Sequence, residues 1–108
     1  MACEVSADSD GTVTISIVGG LDIKAVPAVE AAVAPTLSGG PDRIVVDAGA
    51  LEFADSSAIG LFIRWANLAR YLEVRDAPPF LRGLILRMGL AQRIVIGPAP
   101  ETATPDPV

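Results

Sequence analysis

The stretch Ala54-Asp55-Ser56-Ser57-Ala58-Ile59-Gly60-Leu61 connects an apolar, strand-like run to a strongly apolar, helix-like run. Two adjacent serines therefore lie where a strand ends and a helix begins. The first backbone N–H groups of a helix have no partner within it, and the helix dipole places partial positive charge there. Such a position accommodates an anion, including a phosphate attached to a serine. This junction is a candidate phosphorylation switch in a small, non-enzymatic domain.

The same junction also has a purely structural interpretation, in which Asp55 or Ser56 caps the helix. A side-chain cap of this kind contributes about 1 kcal/mol and is common. No Glu or Gln follows three residues later to complete a capping box. The local sequence on its own favours the cap, and the two roles are compatible.

Strands and helices alternate on both sides of the junction. The patterns predict strands at 3–7, 12–18, 43–47, 71–75 and 93–96, and helices at 25–37, 57–70 and 78–88. Gly19-Gly20 is expected to end the second strand, and Leu51 and Phe53 only lead the chain towards the junction. This order after an opening hairpin predicts an α/β domain, with a mixed β-sheet flanked by about three α-helices.

Length and composition predict a single domain over residues 1–97. The chain has 108 residues and is 51% hydrophobic, which is enough to bury a core. Four prolines among residues 98–108 predict a disordered C-terminal tail. The single cysteine favours a reducing compartment. Without a signal peptide or a span of roughly 20 apolar residues, we expect a cytoplasmic protein that is not inserted in a membrane.

The residue types argue against catalysis. The chain has no histidine, which removes the usual general base and the usual metal ligand. A hydrolase using Ser56 or Ser57 as its nucleophile would need a base, and Lys24, the only lysine, has no context for that role. We therefore expect no catalytic residue, no metal and no cofactor. The net charge of −5 also argues against direct nucleic-acid binding.

The helix after the serines is apolar over more than half of its circumference. Its apolar residues cover roughly 220°, whereas a surface helix needs little more than about 100°. The helix is therefore either deeply buried or leaves an apolar flank exposed, including Leu61, Trp65 or Leu68. Such a flank beside a modifiable serine would form a regulated docking surface.

Three segments together resemble the STAS domain, and within it the bacterial anti-sigma-factor antagonists. They are Val18-Gly19-Gly20-Leu21-Asp22, Ile44-Val45-Val46-Asp47 and Phe53-Ala54-Asp55-Ser56-Ser57-Ala58-Ile59-Gly60-Leu61. The Asp-Ser-Ser segment is the most specific of them. The resemblance, over about residues 3–97, implies a mixed sheet flanked by helices. At two positions the chain differs from the family pattern, which usually has glutamate at Gly20 and glycine at Ala58.

The resemblance also implies a function. In that family, the serine after the aspartate is phosphorylated by a partner anti-sigma factor that is itself a serine kinase, and a phosphatase reverses the step. The unphosphorylated antagonist binds the anti-sigma factor and frees a sigma factor. Here the phosphoacceptor would be Ser56, with Ser57 as the second choice. The implied partner-binding residues are Asp22, Asp55, Ser57, Ala58, Leu61 and Trp65.

A second function within the same family stays open. The chain could be a STAS adaptor subunit of a lipid-transport or stress-signalling assembly, in which the serine is never phosphorylated and the apolar flank docks a transporter ATPase. The sequence leaves the oligomeric state open between a monomer and a weak dimer.

Overall fold

In the computed structural model, which describes residues 2–90 and 94–97, the first two strands form the expected hairpin. The elements follow in the order β1 (Ala2–Ala7), β2 (Thr12–Leu21), α1 (Val26–Leu37), β3 (Arg43–Asp47), β4 (Leu51–Ala54), α2 (Ser56–Ala66), β5 (Tyr71–Arg75), α3 (Pro79–Arg87) and β6 (Ile94–Ile96). The predicted α/β class, mixed sheet and three flanking helices are confirmed. The predicted tail at 98–108 lies outside the described residues.

The main sheet has the strand order β1-β2-β3-β5-β6. β1 is antiparallel to β2, whereas β2, β3, β5 and β6 are parallel to their neighbours. Parallel strands need crossover connections, which α1, α2 and α3 supply. The ends of the parallel strands therefore meet the starts of the helices along one edge of the sheet.

The prediction that Gly19-Gly20 ends the second strand is wrong. β2 continues to Leu21, and its register shifts between the two glycines where it changes partner from β3 to β4. Gly19 has a φ of 95°, a conformation that glycine adopts without a steric penalty. Its N–H donates to the carbonyl of Ala50 at 3.0 Å. β4 was missed because only this pairing beyond the bulge makes Leu51–Ala54 a strand.

Helix α2 ends at Ala66, four residues earlier than predicted. Asn67 closes the helix with its backbone N–H on carbonyls of the last turn. The N–H of Arg70 then donates to the carbonyl of Asp42 at 3.0 Å, which ties the connection to the start of β3. This tertiary contact ends the helix, although the apolar pattern would allow it to continue. None of the three helices in the described residues is long and apolar enough to cross a bilayer.

The core lies between the helices and one face of the sheet. Alternate residues of β2, namely Val13, Ile15 and Ile17, are buried, whereas the intervening Thr14 and Ser16 are half-exposed. α1 packs on β1 and β2, and α2 packs on β5 and β6. The two-residue period of the strands thus separates an apolar, covered face from a polar face.

Candidate functional site at the start of the second helix

The site is built where β2 and β4 leave the sheet side by side. The two strands are parallel, and Leu21 is paired with Ala54. The next residue on each strand is an aspartate, Asp22 or Asp55, and each one precedes a helix. In parallel sheets, the carboxyl ends of neighbouring strands are a recurrent location for functional residues. The topology therefore brings together two aspartates that are 33 positions apart in the sequence.

Asp22 holds the start of α1. Its Oδ1 accepts hydrogen bonds from the backbone N–H groups of Lys24 at 3.0 Å and Ala25 at 2.9 Å. Its carbonyl oxygen accepts from the N–H groups of Ala25 and Val26, both at 3.0 Å. Asp22 thus satisfies backbone donors of the turn that leads into α1 and the N–H of its first residue, Val26.

Asp55 caps α2 and also joins the two loops. Its backbone is extended, as expected of an N-cap, and its Oδ1 accepts from the N–H of Ser57 at 2.9 Å. Its Oδ2 accepts from the N–H of Ile23 at 3.3 Å, across from the β2–α1 loop. The expected cap is therefore confirmed, and it is Asp55 that supplies it. The contact to Ile23 fixes the α2 start relative to the α1 start.

The two serines have different surroundings. Ser56 is the first residue of α2 and is exposed, whereas Ser57 is half-buried and its N–H is engaged by Asp55. A hydroxyl on the exposed first position of a helix can be reached by an enzyme without unfolding the helix. Phosphate there would lie at the positive end of the helix dipole.

Of the two alternatives for α2, the structure shows deep burial and not an exposed apolar flank. Leu61 and Trp65 are buried, and so is Ala58. The broad apolar arc of α2 is enclosed because the helix packs against α1, β5 and β6. The ring centroids of Phe62 and Trp65 lie 6.0 Å apart within this core. Of the three residues expected on the flank, only Leu68 is exposed, with 52% of its surface accessible.

Two apolar residues beside the serine were missed by the sequence analysis. Ile23 is 68% exposed in the loop that Asp55 contacts, and Phe53 on β4 is 52% exposed. Phe53 is paired with Gly20, whose missing side chain leaves the ring uncovered on that side. The available signal was Ile23 itself, a large apolar residue between Asp22 and Lys24 that fits no helix face.

Comparison with known proteins agrees with this architecture. A protein-family model described as "Mlab, STAS domain" matches residues 5–97. No curated protein matches the chain.

Solved structures share the fold at low sequence identity. An anti-sigma factor antagonist from Mycobacterium paratuberculosis is 24% identical, with 94% of this chain and 89% of that chain covered and a TM-score of 0.77. The Bacillus cell fate determinant SpoIIAA in its phosphorylated form is 23% identical, with 94% and 96% covered and a TM-score of 0.70. An anti-sigma-factor antagonist (STAS) domain protein from Planctomyces limnophilus is 14% identical, with 93% of each chain covered and a TM-score of 0.76. With the family model matching nearly the whole described chain, this protein belongs to the STAS domain family.

Proposed function

We propose that the chain is a cytoplasmic, non-enzymatic protein-binding switch, an anti-sigma-factor antagonist controlled at Ser56. In the unphosphorylated form it binds an anti-sigma factor with serine-kinase activity, and a sigma factor is released. Phosphorylation of Ser56 by that partner ends the binding, and a phosphatase restores it. The observation that carries the proposal is the exposed Ser56 at the first position of α2, directly after the capping Asp55.

The physics of the junction explains how a phosphate could switch binding without refolding the domain. A phosphoserine carries about −1.5 to −2 charges and three acceptor oxygens. The start of α2 offsets part of that charge, so the fold is retained. Asp55 and Asp22 lie at the same strand ends and add negative charge to the surface. A partner that covers this surface would have to desolvate the phosphate beside two carboxylates, which is costly without a cation.

The accessible and half-buried residues around Ser56 define the surface that the partner would cover. Asp22, Asp55 and Ser57 lie at the two helix starts, and Ile23 and Phe53 add exposed apolar area beside them. Protein interfaces combine an apolar core with polar residues around it, and exposed apolar area of this kind can supply such a core. The surface is supported from the core by the buried residues Ala58, Leu61 and Trp65, since their burial holds α2 in place.

The test is the intact mass of the protein isolated from its native host, with fragment mapping, before and after phosphatase treatment. We expect a phosphatase-sensitive phosphate on Ser56. A phosphate on Ser57 would contradict the assignment to Ser56. A protein that stays unmodified across growth and stress conditions would contradict the switch and favour the adaptor function in a lipid-transport or stress-signalling assembly.

Matched variants separate the serines and connect the phosphate to binding. Ser56→Ala should abolish the modification, while Ser57→Ala should leave it in place. Ser56→Asp should keep the thermal unfolding midpoint near that of the wild type and lose capture of the anti-sigma factor from native lysate. A Ser56→Asp variant that captures this partner as well as the wild type does would contradict the proposed mechanism.

A further inference from the structure

Strand β1 is an edge strand protected by a single charged residue, Glu4. Within residues 2–90 and 94–97, no other strand pairs with its outer side. All six residues of β1 pair with β2 in one uninterrupted register, from Ala2 opposite Val18 to Ala7 opposite Val13. Edge strands of monomeric proteins are commonly blunted by lysine, proline or a bulge. β1 has none of these, and its single charge is Glu4.

The hydrogen-bond alternation shows which backbone groups of β1 face outward. The N–H of Asp8 donates to the carbonyl of Thr12 at 2.8 Å, next to the pair of Ala7 and Val13. Antiparallel pairs alternate between hydrogen-bonded and non-hydrogen-bonded positions. Cys3, Val5 and Ala7 are therefore at non-hydrogen-bonded positions, and their N–H and carbonyl groups point to the free edge.

We propose that a second copy of this chain pairs with the β1 edge, antiparallel, about a two-fold axis at Val5. In this register Val5 lies opposite Val5 of the second copy, and Cys3 lies opposite Ala7 of the second copy. The outward groups of Cys3, Val5 and Ala7 then all find partners, giving about six interchain hydrogen bonds. The two sheets become one continuous sheet. This inference is independent of the switch at Ser56, because the β1 edge is separate from the ends of β2 and β4.

The charges select this register over its neighbours. It places Glu4 opposite Ser6 of the second copy, and a hydroxyl is a suitable partner for a carboxylate. A shift of two residues one way would place Glu4 opposite Glu4, and a shift the other way would place it opposite Asp8. Like charges directly opposite each other destabilise a strand pair. A shift of one residue would place the core-covered face of one copy on the same side of the joined sheet as the polar face of the other copy.

Helix α1 leaves room for the second copy. Its α2-facing side is identified by the ion pair of Glu30 and Arg64, with Oε2 and Nε 3.0 Å apart. The opposite side, beside the β1 edge, carries small residues at helical spacing. They are Ala25, Ala28, Ala32 and Thr36.

The small side chains on this side of α1 suit the distance between the two α1 helices that a continuous sheet would impose. Because α1 packs on β1 and β2 and neighbouring strands are about 4.8 Å apart, two α1 helices related by the axis would be roughly 10 Å apart. Helices in contact are about 8–10 Å apart. Thr36 and Ala7 line the same cavity, so Ala32, one helical turn before Thr36, is expected at about the level of Val5, two strand residues before Ala7. Larger side chains at position 32 would collide across the axis.

Self-association tests the proposal directly. Sedimentation velocity of the full chain over roughly micromolar to millimolar concentration should show a monomer–dimer equilibrium, as expected for a modest interface. Ala32→Glu should weaken it about tenfold or more, because two carboxylates would meet at the axis. The control Ala31→Glu changes a neighbouring residue on the outward side of α1 and should leave the equilibrium unchanged. A chain that stays monomeric throughout, or a dimer equally sensitive to both variants, would overturn the proposal.

Disulfide trapping tests the register. With Ala7→Cys and the native Cys3, the opposed positions would have Cα atoms about 5.5 Å apart, which a disulfide can span. Within one chain these two positions are roughly 13 Å apart and cannot be linked. Mild oxidation with oxidised glutathione should give a covalent dimer for this variant, and none for the wild type, whose Cys3 residues would be too far apart. A dimer in solution that Ala7→Cys fails to trap would overturn the proposed register.

Discussion

Both carboxylate oxygens of Asp55 accept a backbone hydrogen bond, one within α2 and one from the α1 loop. The residue is therefore part of the architecture of the site whether or not Ser56 is modified. Asparagine caps helices about as well as aspartate does, but it has one acceptor oxygen, so it can keep the bond to Ser57 while losing the one to Ile23.

Asp55→Ala is expected to lower the free energy of unfolding by about 1–2 kcal/mol, the usual cost of a lost cap. Asp55→Asn should be less destabilising than Asp55→Ala, because its single amide oxygen can still accept the Ser57 N–H, although its NH2 group cannot accept from Ile23. Urea denaturation at neutral pH measures both values. If asparagine were as destabilising as alanine, the bond to Ile23 or the negative charge, rather than the cap on Ser57, would be what the junction requires.

Glu73 is the buried charged residue among those described, and it lies between two arginines on the sheet. Its Oε1 is 2.8 Å from Nη2 of Arg43, and its Oε2 is 3.1 Å from Nε of Arg75. Burial by itself raises the pKa of Glu73, but the hydrogen bonds and charges of Arg75 and Arg43 outweigh it and hold the pKa below its usual range. The ionised form is thus favoured in the folded protein.

Glu73 should therefore make stability depend on pH. Since its folded pKa is below the unfolded value of about 4.3, its contribution is fully present above that value. The contribution is lost as the pH falls through the folded pKa. We expect Glu73→Gln to unfold more easily than the wild type at pH 7, and the difference to shrink in acid. Denaturation curves between about pH 3 and 7 measure this. A difference that stays constant with pH would contradict the assignment.

At the scale of elements, the end of β2 depends on two glycines with unequal roles. Gly19 has a positive φ, whereas Gly20 does not. A Cβ added at Gly20 would meet the Phe53 side chain at 4.0 Å, an ordinary contact distance. The bulge that lets β2 pair with β4 therefore needs glycine at the first position and tolerates a side chain at the second.

Gly19→Ala should consequently destabilise the protein by about 1–2 kcal/mol, since the left-handed conformation strains any other residue. Gly20→Ala should be neutral or stabilising by about 0.4–1 kcal/mol through the unfolded chain. Thermal and urea unfolding of the two variants, measured side by side, give the comparison. Equal destabilisation by both would mean that the bulge needs glycine at both positions.

These elements also show what the sequence can and cannot predict. The apolar centre of β3 and the clean alternation of β2 predicted both strands, because each pattern is local. β4 was not predictable, since Leu51–Ala54 has no strand period and depends on pairing across the bulge. The wide apolar arc of α2 was ambiguous for another reason: a helix pattern gives the width of an apolar face without saying what covers it.

At the scale of the whole molecule, the sequence indicates candidate site residues but not how they assemble. Asp22, Asp55 and Ser56 could each be identified from local motif and family resemblance. The hydrogen bond from the N–H of Ile23 to Asp55 joins loops that are far apart in the sequence, and no local pattern encodes it. The exposure of Phe53 likewise follows from the β2–β4 pairing.

The same inter-loop contact has a consequence for any enzyme that acts on Ser56. We expect such an enzyme to recognise a conformational epitope, because the neighbouring loop is in place only in the folded chain. A synthetic peptide of residues 48–66 contains only the 11 residues of α2 as helix. Isolated helices shorter than about 12–15 residues are marginal in water, so this peptide would not hold a stable helix. We expect the intact domain to be a much better kinase substrate than this peptide, measured by phosphate incorporation at equal concentration.

Comparable phosphorylation of the peptide would mean that the linear sequence is sufficient. If the intact domain is the better substrate, as we expect, phosphorylation of Ser56 also indicates that the chain is folded. Molecules that have lost the α1–α2 arrangement would then escape the kinase, so the phosphorylated fraction would fall together with the folded fraction.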